Sequence, residues 1–346
     1  MKTTLSLKWV VAFLASGLGL VALFRYVNRR KVKILLYHGV MGRKQERALN
    51  AQGLHLLADR FARHVAYLKA HYRIISLEEA IDGLQGLKPL PAYAVVITFD
   101  DGYLNNYEHA WPILRRYQVP ATFFVTTSFI SSRELLWLDE LEYAIHASSQ
   151  RAITTDLGEG PVEFSLVSDR AKDLALVRLK RALKRMPEEN RIQRYREIQQ
   201  QLDVPAVYRE GYFCNPLGWD HVKEMARSEL ASVGSHAVHH VNLDALEQGQ
   251  MREEIVQSKA ALEERLGRKA ALFAYPGGAY NEAIKQALVR AGYRCGVTTR
   301  HGFNSRSTDL FELRRNEVGN EGSLLLLKMA ASGVFDAMKA IMGRQG

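Results

Sequence analysis

Short apolar runs rich in β-branched residues alternate with longer helical segments, and this alternation is the feature that most constrains the fold. Amphipathic segments such as 57–70 and 282–290 separate the strand-like runs. Strands that alternate with helices form a mostly parallel sheet. Seven or eight such strands predict an α/β fold, a β/α barrel rather than an open sheet. The strand-like runs are 32–38, 72–75, 94–99, 121–125, 232–235, 272–275 and 294–298.

Two stretches depart from this alternation. Residues 168–203 are dense in Arg, Lys, Glu and Gln, lack a strand pattern, and place Leu176, Leu179 and Leu183 at helical spacing. We predict a helical insertion whose charged face is solvated, with contact to anionic lipid or substrate as the alternative. The last segment, 324–342, is apolar and is predicted to be one helix packed on the barrel.

The amino terminus carries an uncharged run of 16 residues, 9–24, between Lys8 and Arg25. At helical rise this run covers most of the roughly 30 Å hydrocarbon core of a bilayer, and the flanking cations extend its reach. No small-residue cleavage site follows it, so an uncleaved transmembrane helix is predicted over a signal peptide or a buried helix. We therefore divide the chain into a membrane anchor with a basic flank, 1–31, and a barrel, 32–346.

The formal net charge of +10 is concentrated near the amino terminus, because seven cations and no acid lie in the first 33 residues. The remaining net charge of +3 gives no support for nucleic-acid binding. The larger number of cations after the apolar run favours a cytoplasmic barrel. Two cysteines, Cys214 and Cys295, exclude a disulfide framework. No pattern indicates the oligomeric state.

Asp100 and Asp101 follow the apolar run 94–99, at the end of a barrel strand where active sites lie. Gly102 allows the chain to turn, so that both carboxylates can converge on one site. Capping of the following helix is the alternative interpretation.

His236 and His240 follow another predicted strand at an H-x-x-x-H spacing. Two imidazoles and one carboxylate with an open fourth position form a catalytic zinc arrangement. Such a metal lowers the pKa of its water toward about 7, and a second carboxylate can accept the proton of that water. One aspartate is then a ligand and the other a base. His239 is interpreted as a supporting or surface residue.

The segments Thr98–Gly102 (TFDDG) and His236–His240 (HAVHH) resemble the first two motifs of the polysaccharide deacetylase family, also called NodB-homology or carbohydrate esterase family 4 enzymes. The resemblance extends over roughly 32–318. It implies a distorted β/α barrel that removes acetyl groups from N-acetylated, or sometimes O-acetylated, sugars with a divalent metal.

The match to these motifs assigns roles to individual residues. Asp100 is implied to be the general base, and Asp101, His236 and His240 the metal ligands. Zinc is the expected metal, with cobalt, nickel or manganese as alternatives.

The chain also departs from the family pattern. Ala237 stands where the family usually has Ser or Thr. In the segment 273–278, which resembles the third motif R-x-P-Y, Ala274 and Gly277 occupy the Arg and Tyr positions. Arg314 or Arg315 is the candidate replacement for the missing arginine that would support the base. A surface arginine pair is the alternative.

The general acid and the substrate contacts are the least determined parts of the site. The late L-x-H motif of the family is absent, so His301, the only histidine after residue 240, is a candidate acid. His38, at the end of the first strand, is a second candidate, with a structural role as its alternative. Candidate substrate-binding residues are Tyr103, Trp137, Pro276 and Gly277, with Asp139 and Glu142 as further rim positions.

Together these features predict a metal-dependent hydrolase anchored in the bacterial cytoplasmic membrane. Its expected substrate is the acetamide of N-acetylhexosamine units in a cell-surface polysaccharide or in a lipid-linked precursor. The alternatives are a non-catalytic glycan-binding or scaffold member of the fold, which the missing Arg, Tyr and L-x-H residues favour, and a metal amidase acting on a non-sugar amide.

Overall fold

The computed structural model describes residues 19–42, 53–158, 160–186, 188–204, 212–318 and 323–341. The strands are β1 (Lys33–Tyr37), β2 (Gly39–Met41), β3 (His55–Leu57), β4 (Arg73–Ile74), β5 (Ala94–Phe99), β6 (Ala121–Val125), β7 (Ala152–Asp156), β8 (Pro161–Ser165), β9 (Ala231–Ser235), β10 (Leu272–Ala274), β11 (Cys295–Val297) and β12 (Asn316–Glu317). The α-helices are α1 (Leu20–Val27), α2 (Ala58–His71), α3 (Leu77–Leu84), α4 (Trp111–Tyr117), α5 (Thr127–Ser132), α6 (Trp137–Ala147), α7 (Asp169–Leu183), α8 (Glu188–Leu202), α9 (Trp219–Ala226), α10 (Gln248–Leu266), α11 (Glu282–Arg290), α12 (Leu324–Ser332) and α13 (Val334–Ile341).

The central sheet is parallel, with the strand order β11-β10-β9-β6-β5-β1-β12. Strand β4 pairs in parallel with the first residues of β5. The segment that precedes β12 forms an isolated parallel bridge to β11, from Leu313 to Val297, and the backbone N–H of Arg315 donates to the carbonyl of Arg300 at 2.9 Å. The predicted parallel α/β architecture is confirmed, with the strands forming a curled half-barrel.

Both faces of the sheet are buried, as expected for parallel strands. Alternate residues such as Ile34, Val96 and Phe124 fill the inner face of the half-barrel. Their neighbours, among them Leu35 and Phe123, pack outward against the helices α2 and α4. The strands are thus held rigidly, and their carboxyl ends form one rim.

The predicted helical stretch 168–203 corresponds to α7 and α8. These helices share an apolar cluster with α6 and with the antiparallel hairpin of β7 and β8. Leu176, Leu179 and Leu183 are fully buried in that cluster, which agrees with their helical spacing. The insertion therefore packs together with α6, β7 and β8, elements that the helical pattern over 168–203 did not include.

The carboxyl-terminal segment differs from the prediction. Two helices, α12 and α13, replace the single expected helix, because Gly333 adopts a left-handed conformation (φ 95°) that ends α12. Both helices contact α1, and Met342 lies outside the described residues.

The predicted transmembrane run 9–24 lies mostly outside the described residues, which begin at 19. Among the described helices, none combines the length and the apolar character needed to cross a membrane. The anchor and the division of the chain at residue 31 therefore stay predictions.

Candidate metal centre and active site

The chain turns abruptly where β5 ends. Asp101 and Gly102 both have positive φ, 75° and 99°. This bend stops the alternation of the strand, and both Asp100 and Asp101 lie at the buried rim with only 3% of their surface exposed. The backbone N–H of Thr126, after β6, donates to the carbonyl of Asp101 at 3.0 Å and fixes the turn.

Asp101, His236 and His240 come together at this rim. The Oδ1 atom of Asp101 lies 3.3 Å from Nε2 of His236 and 3.2 Å from Nε2 of His240. This oxygen is buried and has no hydrogen-bond partner in the described part of the chain. A buried carboxylate oxygen without a donor is costly unless a cation satisfies it. Two imidazole nitrogens and one carboxylate are also the donor set of an open zinc site, so these residues fit a divalent metal.

The two imidazoles are oriented by their surroundings. Nδ1 of His236 lies 2.8 Å from the carbonyl oxygen of Ala274, to which it donates, and this contact directs Nε2 towards Asp101. Burial alone would raise the pKa of Asp101, but the adjacent His240 and His236 hold it well below its ordinary value. The carboxylate is therefore ionised.

The loop that carries the histidines is held by hydrogen bonds that the sequence motif did not predict. Glu254 of α10 accepts hydrogen bonds from the backbone N–H groups of Val238 and His239, at 2.8 and 2.9 Å. Its other oxygen lies 2.6 Å from Nδ1 of His239, whose side chain is 62% exposed. His239 thus supports the loop and does not join the cluster. The hydroxyl of Ser235 accepts from the backbone N–H of Ala237 at 3.2 Å.

Asp100 forms a two-pronged ion pair with Arg315, which directly precedes β12. The two N···O distances are 2.7 and 2.6 Å, and Arg315 is fully buried. The guanidinium also donates to the carbonyl of Thr298 and to the hydroxyl of Thr98. Burial would raise the pKa of Asp100, yet Arg315 and His236 hold it below its ordinary value. Of the two candidate arginines, Arg315 contacts Asp100, whereas Arg314 is exposed.

The two candidate acids lie in different places. His38 directly follows β1, and Tyr37 pairs with Phe99, so His38 and Asp100 end neighbouring strands at the same rim. The His38 side chain is 17% exposed. His301 instead contacts the side chain of Asn316, at 3.2 Å. Adjacent residues of a strand face opposite ways, so this contact places His301 away from the side on which Arg315 meets Asp100.

The residues of the expected sugar-binding rim lie on and around α6, beside the barrel and the insertion. Tyr103 is 2% exposed, and its hydroxyl donates to Asp139 at 2.9 Å. Burial raises the pKa of Asp139 to about 7. Glu142 pairs with the buried Lys180 at 2.7 Å. Trp137 packs against the ring of Tyr195. These side chains contact one another and residues of the helices α6, α7 and α8, and sugar binding by Tyr103 and Trp137 stays a prediction.

The third-motif segment reaches the same rim. Pro276 is buried and Gly277 is exposed with a φ of 63°. A Cβ atom on Gly277 would lie 2.6 Å from Oδ1 of Asn242, so the larger residue of the family motif does not fit there without movement. Of the candidate substrate-binding residues, Gly277 alone is exposed.

The fold and the site together define a β/α-barrel hydrolase with a candidate centre for one metal ion. A sequence profile described as polysaccharide deacetylase matches residues 88–296. The chain belongs to the polysaccharide deacetylase family and is a hydrolase that acts on carbon–nitrogen bonds.

Individual relatives agree with this assignment. The chain is 23% identical to the polysaccharide deacetylase homologue YxkH of Bacillus subtilis over 296 residues, which are 85% of this chain and 74% of the relative. A segment of 73 residues is 37% identical to the poly-beta-1,6-N-acetyl-D-glucosamine N-deacetylase of Escherichia coli K12, covering 20% of this chain and 11% of that protein.

Solved structures share the fold. The Streptococcus pyogenes deacetylase PplD superposes with a TM-score of 0.57 at 22% identity, covering 86% of this chain and 98% of the other. IcaB from Ammonifex degensii superposes with a TM-score of 0.55 at 21% identity, covering 88% and 97%.

Proposed function

We propose that the protein is a metal-dependent deacetylase that hydrolyses the acetamide of N-acetylhexosamine units in a bacterial cell-surface polysaccharide or its lipid-linked precursor. The observation that carries the proposal is the buried Oδ1 atom of Asp101, which faces two imidazole nitrogens without a hydrogen-bond donor. The sequence similarity to a poly-beta-1,6-N-acetyl-D-glucosamine N-deacetylase supports the class of sugar.

Asp101, His236 and His240 would hold the metal, and zinc suits this donor set best. A divalent metal bound there would act as a Lewis acid that polarises the amide carbonyl and lowers the pKa of a bound water. The hydrogen bond from His236 to the carbonyl of Ala274 orients its ring for that task.

Asp100 would accept a proton from the attacking water. Its carboxylate is ionised, because Arg315 and His236 outweigh the effect of burial on its pKa. Arg315 occupies both oxygens and holds the carboxylate in one orientation. Since a general base must lie within hydrogen-bond reach of the proton it accepts, this fixed position is what the arginine contributes.

His38 is the proposed general acid. It lies beside Asp100 at the rim and is partly exposed, which allows its imidazolium to give a proton to the leaving nitrogen. The carbon–nitrogen bond of the acetamide then breaks, and the products are acetate and a free amine on the sugar.

The proposed location is the bacterial cytoplasmic membrane, held by the uncharged run 9–24. The cations that follow this run favour a cytoplasmic barrel. Tethering would keep the enzyme close to the surface on which such glycans are assembled.

The proposal is tested by measuring acetate release from N-acetylglucosamine oligomers and from non-sugar N-acetyl amides. We expect release from the sugars, loss of that release after chelation, and recovery with zinc. Faster release from the non-sugar amides would identify a metal amidase of another specificity. No release from any N-acetyl compound by a zinc-loaded, folded chain would favour a glycan-binding or scaffold role.

A further inference from the structure

The end of α7 brings a cation from the insertion towards the barrel. Lys184 directly follows α7, and its backbone N–H donates to the carbonyl of Lys180 at 3.1 Å. The two lysines therefore lie one turn apart on the same side of the helix. Lys180 is buried, and its ammonium pairs with Glu142 of α6 at 2.7 Å. This ion pair fixes the side of α7 that faces α6 and the barrel.

Three carboxylates indicate where the Lys184 side chain lies. Its ammonium interacts electrostatically with Asp101, Glu317 and Asp139, which belong to three different parts of the fold. Asp101 is a proposed metal ligand after β5, and Asp139 lies on α6. Glu317 ends β12, and its carboxylate lies 3.9 Å from Nδ1 of His38, the proposed acid. Lys184 therefore lies at the rim that carries the candidate metal centre.

The ammonium of Lys184 is available to a ligand. Its side chain is exposed, and in the described part of the chain it forms no hydrogen bond or ion pair. Each of the three carboxylates has a closer polar partner of its own. The surrounding protein nevertheless lowers the pKa of Lys184 by desolvation, which places this exposed group in a concave part of the surface.

The chemistry of an ammonium group indicates which ligand it binds. Lysine is a compact point charge that donates up to three hydrogen bonds and accepts none. The adjacent Arg181 and Arg185 are also exposed, so the end of α7 has a positive potential that attracts anions. A neutral sugar offers only hydroxyl and amide oxygens. Hydrogen bonds from an ammonium to phosphate or carboxylate are stronger than those to neutral oxygens, so an anion is the ligand that fits best.

We propose that Lys184 binds an anionic group of the substrate, a phosphate or a carboxylate beside the N-acetylhexosamine unit whose acetamide is hydrolysed. The inference rests on the proposed deacetylase function. It narrows the substrate class to a glycan that carries negative charge, or to a precursor linked through phosphate. The insertion then supplies a specificity-determining contact, and the barrel supplies the residues that act on the acetamide.

The test compares three compounds: a neutral oligomer of N-acetylglucosamine, N-acetylglucosamine with an anomeric phosphate, and a disaccharide of N-acetylglucosamine and a uronic acid. Acetate release by the zinc-loaded full chain gives kcat and KM. Affinity is measured by calorimetry on the same variants combined with Asp100→Asn, so that no turnover disturbs it. The variants are Lys184→Gln and Lys184→Arg. The matched control is Arg181→Gln, because Arg181 is exposed whereas the adjacent Lys180 is buried.

We expect Lys184→Gln to raise KM and to weaken affinity about tenfold for at least one anionic compound, with a far smaller change in kcat. For the neutral oligomer the rise in KM should be at least about fivefold smaller, because no charge is paired there. Lys184→Arg should recover most of the affinity. A loss confined to the phosphate or to the uronic acid compound supports the proposal and identifies the anion.

Three results would overturn the proposal. They are no loss for either anionic compound, equal losses for neutral and anionic compounds in Lys184→Gln, and an equal loss in Arg181→Gln, which would indicate diffuse attraction. Failure of the deacetylase proposal gives a different result, namely no acetate release from any compound by the zinc-loaded wild type. The affinities in the Asp100→Asn background need no turnover, so they test the Lys184 contact in either case.

Discussion

Asp100 and Arg315 form a buried ion pair although 215 positions separate them in the chain. In the sheet, β1 lies between β5, which precedes Asp100, and β12, which Arg315 precedes. The guanidinium therefore reaches across the inner face of the half-barrel to hold the carboxylate. The arginine position of the third family motif is Ala274 in this chain, so an arginine from another strand contacts the aspartate.

Replacing Arg315 tests whether this contact orients the base. Arg315→Lys keeps a cation but loses the two-pronged geometry, and we expect kcat/KM to fall about 100-fold. Arg315→Ala leaves a buried carboxylate unpaired, which should lower the free energy of unfolding by about 3–5 kcal/mol. Acetate release and denaturant unfolding measure the two effects. Arg314→Lys and Arg314→Ala are the matched controls, and similar losses in them would remove the assignment.

Metal content per chain tests the cluster of Asp101, His236 and His240. After exhaustive dialysis, the wild type should retain one zinc ion, as expected for an open site with three protein ligands. His240→Ala should lose it. His239→Ala, changed at the adjacent exposed histidine, should retain it. Retention by His240→Ala, or loss by both variants, would contradict the proposed ligand set.

The two adjacent aspartates should respond differently to the same change. Asp100→Asn removes the base but no ligand, so we expect full metal content with kcat lowered about 100- to 10,000-fold. Asp101→Asn should lose both metal and turnover. Metal analysis and initial rates on the same preparations separate the roles, and ordinary activity of Asp100→Asn would reject the base.

The choice between the two candidate acids is tested with a pair of glutamine variants. His38→Gln should lower kcat about 100-fold, because the leaving nitrogen then lacks its proton donor. His301→Gln should stay within about twofold of the wild type, since His301 contacts Asn316 instead of Asp100. The opposite ranking would show that the late histidine is the acid.

Asp139 should make stability depend on pH. Burial raises its pKa from 3.8 to about 7. Between about pH 4 and 7 the folded state then holds more protons than the unfolded state, so the free energy of unfolding falls as pH rises, by up to about 4 kcal/mol. The Asp139→Asn side chain is neutral at every pH. The free energy of unfolding of this variant should therefore rise relative to that of the wild type as the pH increases from 5 to 8.

Denaturant unfolding of wild type and variant at several pH values measures this difference. The exposed Asp244→Asn is the control and should leave the pH dependence unchanged. If the difference in the free energy of unfolding between Asp139→Asn and the wild type stayed the same at every pH, it would contradict a raised pKa of Asp139.

The parts of the site that the sequence predicted are those set by local structure. Asp100 and Asp101 follow an apolar strand, as His236 does, and parallel strands bring such ends to one rim. The sequence also predicted that His239 does not join the cluster. It did not predict that Glu254 contacts His239, because Glu254 belongs to no recognisable motif. Glu254 lies on a different helix, α10, and contacts the loop only through tertiary packing.

The surroundings of a side chain and the end of a helix can depend on distant parts of the chain. Tyr103 and Trp137 were predicted to bind sugar from their positions, and this stays a prediction, but Tyr103 is 2% exposed and Trp137 packs against Tyr195 of α8. The apolar segment 324–342 looked like one helix, and the left-handed Gly333 divides it.

The sequence by itself determined the parallel α/β architecture, the family and the cluster of Asp101, His236 and His240, because strand ends and short motifs are local properties. Only the tertiary structure decided that Arg315 rather than Arg314 meets Asp100 and that His301 lies away from it. The physical reason is that the orientation of a side chain depends on strand register and packing between residues far apart in sequence, and no local pattern records either.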